Sequence, residues 1–257
     1  MNTAGQTAAS ATRHWSEAYY GHGSWYARSV AHLLTPERTS RETDFLMRAC
    51  TLGAGSHVID LGCGEGRHLH EFGRRGVRAT GIDQSPSSVT AARAACVGLP
   101  VDVLEGDMRT PPGAAYQAVL CLYNTFALLD RREVPEVLAR WAGRLDAGGH
   151  LVLDLWNADA VRTDPERSRR SWRTGDVRVQ EDRTVLRAGR ALRIDYSYTD
   201  GSDHATYSGV FELYAAAELE ALLAQAGLTM TAAHGTLTGD PLDPRESPRV
   251  VVVGSKR

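Results

Sequence analysis

The chain has 257 residues, 42 % of them hydrophobic, enough to bury one α/β core with an elaboration and too few for more than two small domains. A formal charge of −2, with acids and bases interspersed, leaves no basic stripe for a polyanion and argues against nucleic-acid docking. The four cysteines (Cys50, Cys63, Cys96 and Cys121) contain no C-x-x-C pair and read as free thiols of a cytoplasmic protein, and the longest apolar stretches, Ala118–Tyr123 and Val250–Val253, are too short to span a bilayer.

Met1–Thr12 lacks a charged region followed by an apolar run and is expected to be a disordered tail. Residues 13–34 carry five aromatics, Trp15, Tyr19, Tyr20, Trp25 and Tyr26. A helix start follows: Thr35 can cap, Pro36 suits the first helical position, and Thr39 to Glu42 has capping-box spacing. From His57 the pattern becomes strand, turn, helix, repeated. Strands are predicted at His57–Leu61, Arg78–Ile82, Val101–Leu104, Ala118–Tyr123 and His150–Leu155. Helices are predicted at Arg67–Arg75, Ser85–Cys96 and Arg132–Leu145. Short apolar strands alternating with helices imply a parallel sheet covered on both faces. Residues 164–214 differ. Arg167–Arg173 is basic and is expected to be a solvated loop. The alternation in Val177-Arg-Val179 and Leu192–Tyr198 then argues for antiparallel strands with one wet face, ending at Phe211–Tyr214. Glu218–Ala226 reads as a helix stopped by Gly227, and Val250–Val253 as a buried last strand.

Three segments carry chemistry. In Val58–Arg67 a strand enters a glycine turn that opens a helix, with Asp60 two residues before Gly62, Gly64 and Gly66. Glycines allow positive φ and close approach of a ligand. A dinucleotide turn wants G-x-G-x-x-G for a pyrophosphate, and here Arg67 stands where the third glycine belongs. S-adenosylmethionine (SAM) has no phosphate, and an acid at Asp60 suits its cationic end. Asp83 closes the second strand, where a carboxylate can accept both ribose hydroxyls, a feature shared with NAD sites and also with helix caps. Asp107-Met108, after the third strand, can bind and cover adenine. All three segments fall at the carboxyl ends of neighbouring strands, where open α/β sheets bind ligands.

On these motifs, with Pro36–Thr39, Leu122–Phe126, Gly148–Asp154, Phe211–Gly227 and Arg249–Lys256, the chain resembles the small-molecule class I SAM methyltransferases of bacteria. Within them it is most like N-methyltransferases of antibiotic and amino-sugar pathways. The resemblance implies a Rossmann-like, doubly wound, mostly parallel seven-stranded sheet. Residues 13–50 would form an N-terminal helical lid, 51–163 and 215–257 the core, and 164–214 an inserted antiparallel β-cap on the substrate side. Carried over by position, Asp60, Gly62, Cys63, Gly64 and Gly66 would form the methionine pocket. Asp83 would hold the ribose with Gln84 beside the adenine, Asp107 and Met108 would flank the adenine, and Leu122 would line the cavity. The lid would place Tyr20 and Tyr26 over the cofactor.

Tyr123 to Phe126 should face the transferring methyl and lacks the double proline of enzymes that methylate nucleic-acid amino groups. Aromatic faces stabilise the sulfonium charge, which gives Tyr20, Tyr26 and Phe126 a catalytic role. His22 is a candidate base, with Glu181 or His204 as alternatives. His68 and His70, at i and i+2 of a helix, share no face and are expected at the surface rather than on a metal. No metal is expected, and the expected partner is a small-molecule substrate, with no nucleic acid or membrane and with self-association left open. A nucleotide-dependent oxidoreductase is disfavoured by Arg67 and Asp107-Met108, and a non-catalytic SAM-binding module would show no turnover.

Overall fold

The computed structural model describes residues 19–113, 115–163 and 169–257. The expected tail, Trp15 and Arg167 lie outside the described residues. Helices among the described residues include α1 (Trp25–Val30), α2 (Pro36–Ala49), α3 (Arg67–Arg74), α4 (Pro86–Ala95), α5 (Val134–Ala142), α6 (Ala158–Thr163) and α7 (Ala216–Gln225). The core strands are β1 (His57–Leu61), β2 (Arg78–Asp83), β3 (Val101–Glu105), β4 (Tyr116–Cys121), β5 (Leu145–Trp156), β10 (Leu228–His234) and β11 (Arg249–Lys256). Four further strands, β6 (Arg169–Thr174), β7 (Val177–Leu186), β8 (Ala191–Asp200) and β9 (Asp203–Glu212), form a separate sheet.

The large sheet has the order β10-β11-β5-β4-β1-β2-β3. β1 to β5 pair in parallel, while β11 runs antiparallel to β5 and to β10. Strand alternation divides its side chains between two apolar layers. Val58, Ala118, Leu120 and Val251 meet Phe45, Leu46, Leu69 and Phe72 of α2 and α3. Ile59, Val119, Cys121 and Val250 belong with Val134, Leu138 and Trp141 of α5 and with Leu219 of α7. Both faces are therefore dry, which is why the parallel strands read as apolar runs.

The helix starts follow the local chemistry. Thr35 Oγ1 accepts the Arg38 amide at 3.2 Å with Pro36 at the first turn, and Ser85 caps α4 in the same manner ahead of Pro86. Three expectations need correction. The basic stretch is not a loop where it is described: Arg169–Thr174 is edge strand β6, with Arg169, Arg170 and Arg173 exposed, as suits a sheet edge. β10 was not foreseen, because Leu228–His234 has a weak apolar pattern and is held by pairing with β11. His68 is not at the surface; its ring is buried against Glu42.

The smaller sheet turns its apolar face inward. Val177, Val179, Leu192, Ile194, Tyr196, Tyr198 and Phe211 are buried and continuous with the layer containing Trp141 and Tyr214. Trp156, at the carboxyl end of β5, packs its ring against Phe211 at 5.1 Å. The smaller sheet is thereby joined to the strand ends where the glycine turn lies.

Candidate active site

β1 ends in Asp60-Leu61, and the chain turns through Gly62, Gly64 and Gly66 at φ +80°, +54° and +76°. α3 begins at the next residue, Arg67. A Cβ on Gly62 would lie 2.4 Å from Thr125 Cγ2, and one on Gly66 2.9 Å from Ala92 Cβ, whereas one on Gly64 would meet nothing within 4 Å. Gly62 and Gly66 are thus required by the protein's own packing, and Gly64 faces open space. The Cys63 thiol turns inward, against the Gly81 backbone.

Asp83, at the end of β2, anchors this turn. One carboxylate oxygen accepts the Gly64 N–H at 2.8 Å and the other the Ser85 N–H at 2.9 Å. Gln84 is half-buried beside Asp83. Asp60 is buried, and its Oδ1 has no hydrogen-bond partner among the described residues. Burial pushes its carboxyl up to about 7, with Arg67 opposing the rise and Asp83 adding to it.

Asp107 follows β3, and both its oxygens are gripped by Arg109, whose Nη2 lies 2.7 Å from Oδ2 and whose backbone N–H donates to Oδ1. In this arrangement the lone pairs expected to face adenine are engaged by a neighbour. Met108 is half-buried and its carbonyl accepts Trp141 Nε1 at 2.8 Å. Leu122 is buried in the core at the end of β4.

The next two residues, Tyr123 and Asn124, adopt left-handed backbone, φ +53° and +69°. That conformation is costly for a tyrosine and marks an over-determined turn. Asp154, fully buried in β5, supplies the constraint: its Oδ2 accepts the Tyr123 N–H at 2.9 Å and its carbonyl accepts the Asn124 N–H at 2.9 Å. The Asn124 side-chain oxygen takes the Trp156 N–H at 3.0 Å. The turn redirects Phe126, whose expected place facing the methyl is corrected here. It is fully buried, with its ring 5.8 Å from Trp141 and 5.4 Å from Tyr214. Phe126 packs among core aromatics, one residue beyond Thr125, which meets Gly62 of the glycine turn.

Beside the turn lies a buried charged network that the sequence did not suggest. Glu42 of α2 is 1 % exposed. It accepts hydrogen bonds from Arg38 (2.9 Å), His68 (3.1 Å) and the Tyr123 hydroxyl (2.6 Å), and forms an ion pair with Arg67 (2.7 Å). Burial would raise its carboxyl, but the hydrogen bonds from His68 and Tyr123 and the charge of Arg67 prevail and hold it well below the usual range. Burial lowers His68, which is therefore a neutral partner. Arg249, at the start of β11, pairs with Asp154. A signal did exist: Glu42 stands one helical turn before Phe45 and Leu46, on the apolar face of α2, and Asp154 interrupts an apolar strand.

The N-terminal segment closes over these elements. The Tyr20 carbonyl accepts from Ser88 Oγ, and the His22 N–H donates to Ser87 Oγ at 3.0 Å, both at the start of α4. His22 Nδ1 lies 2.8 Å from Glu65 of the glycine turn, on an exposed rim. Tyr19, Tyr20 and Tyr26 meet edge-on or tilted at 4.6–5.1 Å between ring centres. Tyr19 also touches Tyr196 and Tyr207 of the smaller sheet, and its hydroxyl lies 3.3 Å from that of Tyr198. Arg28 pairs with Asp200, and His32 with Thr174. Of the alternative bases, Glu181 is buried on the inner face beside Arg183, whereas His204 is exposed on β9. Of the expected residues, then, the glycine turn, Asp60, Asp83, Gln84, Tyr20, Tyr26 and His22 come together at one end of the sheet, and Phe126 is packed in the core next to them.

This donor set fits SAM. A buried, unpartnered carboxylate oxygen on Asp60 suits an ammonium, Asp83 sets a carboxylate at the end of β2 beside the glycine turn, and Gly64 presents bare backbone. Among the described residues no group of three His, Cys, Asp or Glu side chains is placed to hold a metal ion, and no helix is long and apolar enough to cross a membrane.

Comparison with known proteins agrees. Residues 58–149 match the family model described as a methyltransferase domain. A dTDP-3-amino-3,4,6-trideoxy-α-D-glucopyranose N,N-dimethyltransferase of Streptomyces venezuelae is 28 % identical over 235 residues, 86 % of this chain and 91 % of that protein. The sugar N-methyltransferase KedS8 of a Streptoalloteichus species superposes with a TM-score of 0.59 at 26 % identity, covering 86 % of each chain. SAM-bound CalS10, an amino pentose methyltransferase of Micromonospora echinaspora, shares the fold with a TM-score of 0.63 at 23 % identity over 100 % of both chains. With a methyltransferase domain over residues 58–149, the chain is a SAM-dependent methyltransferase, and it is similar to amino-sugar N-methyltransferases.

Proposed function

We propose that the enzyme methylates a nitrogen on a small, partly apolar amine in a secondary-metabolite pathway of the cytoplasm. The observation that carries this reading is the junction of Tyr19, Tyr20 and Tyr26 with Tyr196, Tyr198 and Tyr207, between the glycine turn and the inner face of the β6–β9 sheet. An aromatic enclosure roofed by a sheet suits a compact ligand and the cation formed as nitrogen is alkylated. The likeness to amino-sugar N-methyltransferases supports nitrogen as the target.

SAM, when bound, supplies a methyl group on a sulfonium, already a good leaving group. The protein's part is to bind, orient and exclude water. Asp60 would take the amino group, Gly62 to Gly66 the methionine chain, and Asp83 the ribose. Gln84 and Met108 would border the adenine, with Asp107 reaching it once released from Arg109. Tyr20 and Tyr26 would cover the reacting end. The hydrogen bond to Glu65 favours the His22 tautomer with Nε2 as acceptor, so the rim can take a proton from the amine before transfer.

Labelled SAM incubated with separate tRNA, protein and small-metabolite pools tests the acceptor class. Label is expected in the metabolite pool, in products whose methyl is on nitrogen. Label confined to macromolecules would overturn the reading.

A further inference from the structure

Two buried guanidinium nitrogens, Arg67 Nη2 and Arg249 Nη2, have no hydrogen-bond partner among the described residues. Each arginine is otherwise engaged: Arg67 with Glu42 and Thr39, and Arg249 with Asp154. The two belong to distant parts of the chain, the first residue of α3 and the first residue of β11. They converge on one ring, with guanidinium carbons 4.4 and 5.4 Å from the centre of Tyr123. Tyr26 lies close enough for both arginines to act on its hydroxyl, which burial raises and they oppose. A buried N–H donor left unmade costs about 1–3 kcal/mol, more when charged, so two of them on arginines packed against one ring point to a ligand that accepts from both.

Charge balance says what kind of ligand. Three guanidiniums, Arg38, Arg67 and Arg249, share the network with Glu42 and Asp154, and His68 is neutral. The remaining acid is Asp60, near enough for Arg67 to act on its carboxyl, yet with its own oxygen unpartnered. Unpartnered donors and an unpartnered acceptor therefore stand on neighbouring groups. An α-amino acid zwitterion satisfies both at once and leaves the net charge of the network unchanged. We infer that Arg67 and Arg249, with the Tyr26 hydroxyl, form a carboxylate clamp that takes the methionine carboxylate of SAM while Asp60 takes its amino group. The inference rests on the cofactor site described above. It also explains why Arg67 stands where a dinucleotide turn has its last glycine. The side chain reaches back from the helix start and recognises a carboxylate in place of a pyrophosphate.

The clamp is tested by ligand truncation, read as binding. S-adenosylhomocysteine and its decarboxylated analogue, which keeps the aminopropyl group, are titrated calorimetrically into the wild type, Arg67→Gln and Arg249→Gln, with melting curves as a fold control. S-adenosylhomocysteine should bind Arg67→Gln about 10- to 100-fold more weakly, the range for lost charge-assisted hydrogen bonds. The decarboxylated analogue should change less than about threefold. Arg249→Gln should behave alike if it folds. If removing Asp154's partner unfolds it, Tyr26→Phe replaces it, with a smaller loss of the same selectivity. Equal losses for both ligands in a folded variant would make the arginines structural and overturn the clamp. Unchanged S-adenosylhomocysteine affinity would also overturn it. Wild-type protein that binds neither ligand would remove the cofactor site itself, an outcome distinct from failure of the clamp alone.

Discussion

Asp60 is where burial and binding meet in a single side chain. Its folded carboxyl titrates near 7, against 3.8 when unperturbed, because burial disfavours the charged form. The unfolded chain therefore releases this proton first. The group's contribution is fully present below about pH 4 and is lost as pH rises through about 7, at up to about 1.4 kcal/mol per pH unit between them. Asp60→Asn should flatten that part of the ligand-free protein's stability profile, measured by denaturant titrations from pH 4 to 8. An unchanged profile would contradict the assignment. SAM binding at pH 6 should release close to one proton, seen by calorimetry in buffers of different ionisation enthalpy, and Asp60→Asn should release none.

The glycines separate folding from binding in the same way. Gly62→Ala sets a Cβ against Thr125 at a φ that side chains resist, and should cost about 2–5 kcal/mol of stability. Gly64→Ala meets no protein atom, so it should cost only about 1–2 kcal/mol for its backbone while abolishing SAM binding. Melting curves and titrations of the two variants must show this inversion. Equal stability losses would place Gly64 in the packing instead of at the ligand. The motif and the spacing of Gly62 to Gly66 were legible in the sequence. Which glycine serves the protein and which serves the ligand was not, because that depends on Thr125 and Ala92, far along the chain.

Among elements, the junction of α2, α3 and the turn after β4 depends on Glu42. It binds Arg67 and His68 of α3 and Tyr123 beyond β4, so one carboxylate fastens three elements. Removing one member of a buried ionic network strands its partners, at about 3–5 kcal/mol. Glu42→Ala should lose stability on that scale. Its carboxyl is depressed in the fold, so the stability it confers is present above its unfolded value of 4.5 and is lost as pH falls below that. Acid titrations should therefore show a shallower decline for Glu42→Gln than for the wild type, and parallel curves would refute the role. α2 itself was legible from Thr35, Pro36 and its apolar spacing. The purpose of Glu42 was not, since an acid on a helix reads as solvated until the partners opposite it are known.

On the scale of the molecule, the N-terminal segment and the β6–β9 sheet meet across the carboxyl ends of β1, β2, β4 and β5. Beyond the Tyr19, Tyr20 and Tyr26 cluster, the rest of Tyr19–Leu34 is fastened there by rim contacts, His22 with Glu65, Arg28 with Asp200 and His32 with Thr174. Exposed pairs of this kind contribute little, about 0–1 kcal/mol each, so the segment should open more readily than the sheet beneath it. Hydrogen exchange should show protection rising in Tyr19–Leu34 when S-adenosylhomocysteine is added, with β1, β4 and β5 unchanged. Equal protection in both states would rule out gating. The sequence by itself determined the βα alternation, the alternating strands of the inserted sheet and the three acids at strand ends, because these are periodicities of 2 and 3.6 and turn residues acting within a few positions. Only the tertiary structure decided that Phe126 faces the core, that six tyrosines from two ends of the chain share one cluster, and that Arg67 and Arg249 converge on Tyr123. Those outcomes rest on contacts between residues as far apart in the chain as Tyr19 and Tyr207, whose pairing is set by sheet order and burial and leaves no local mark.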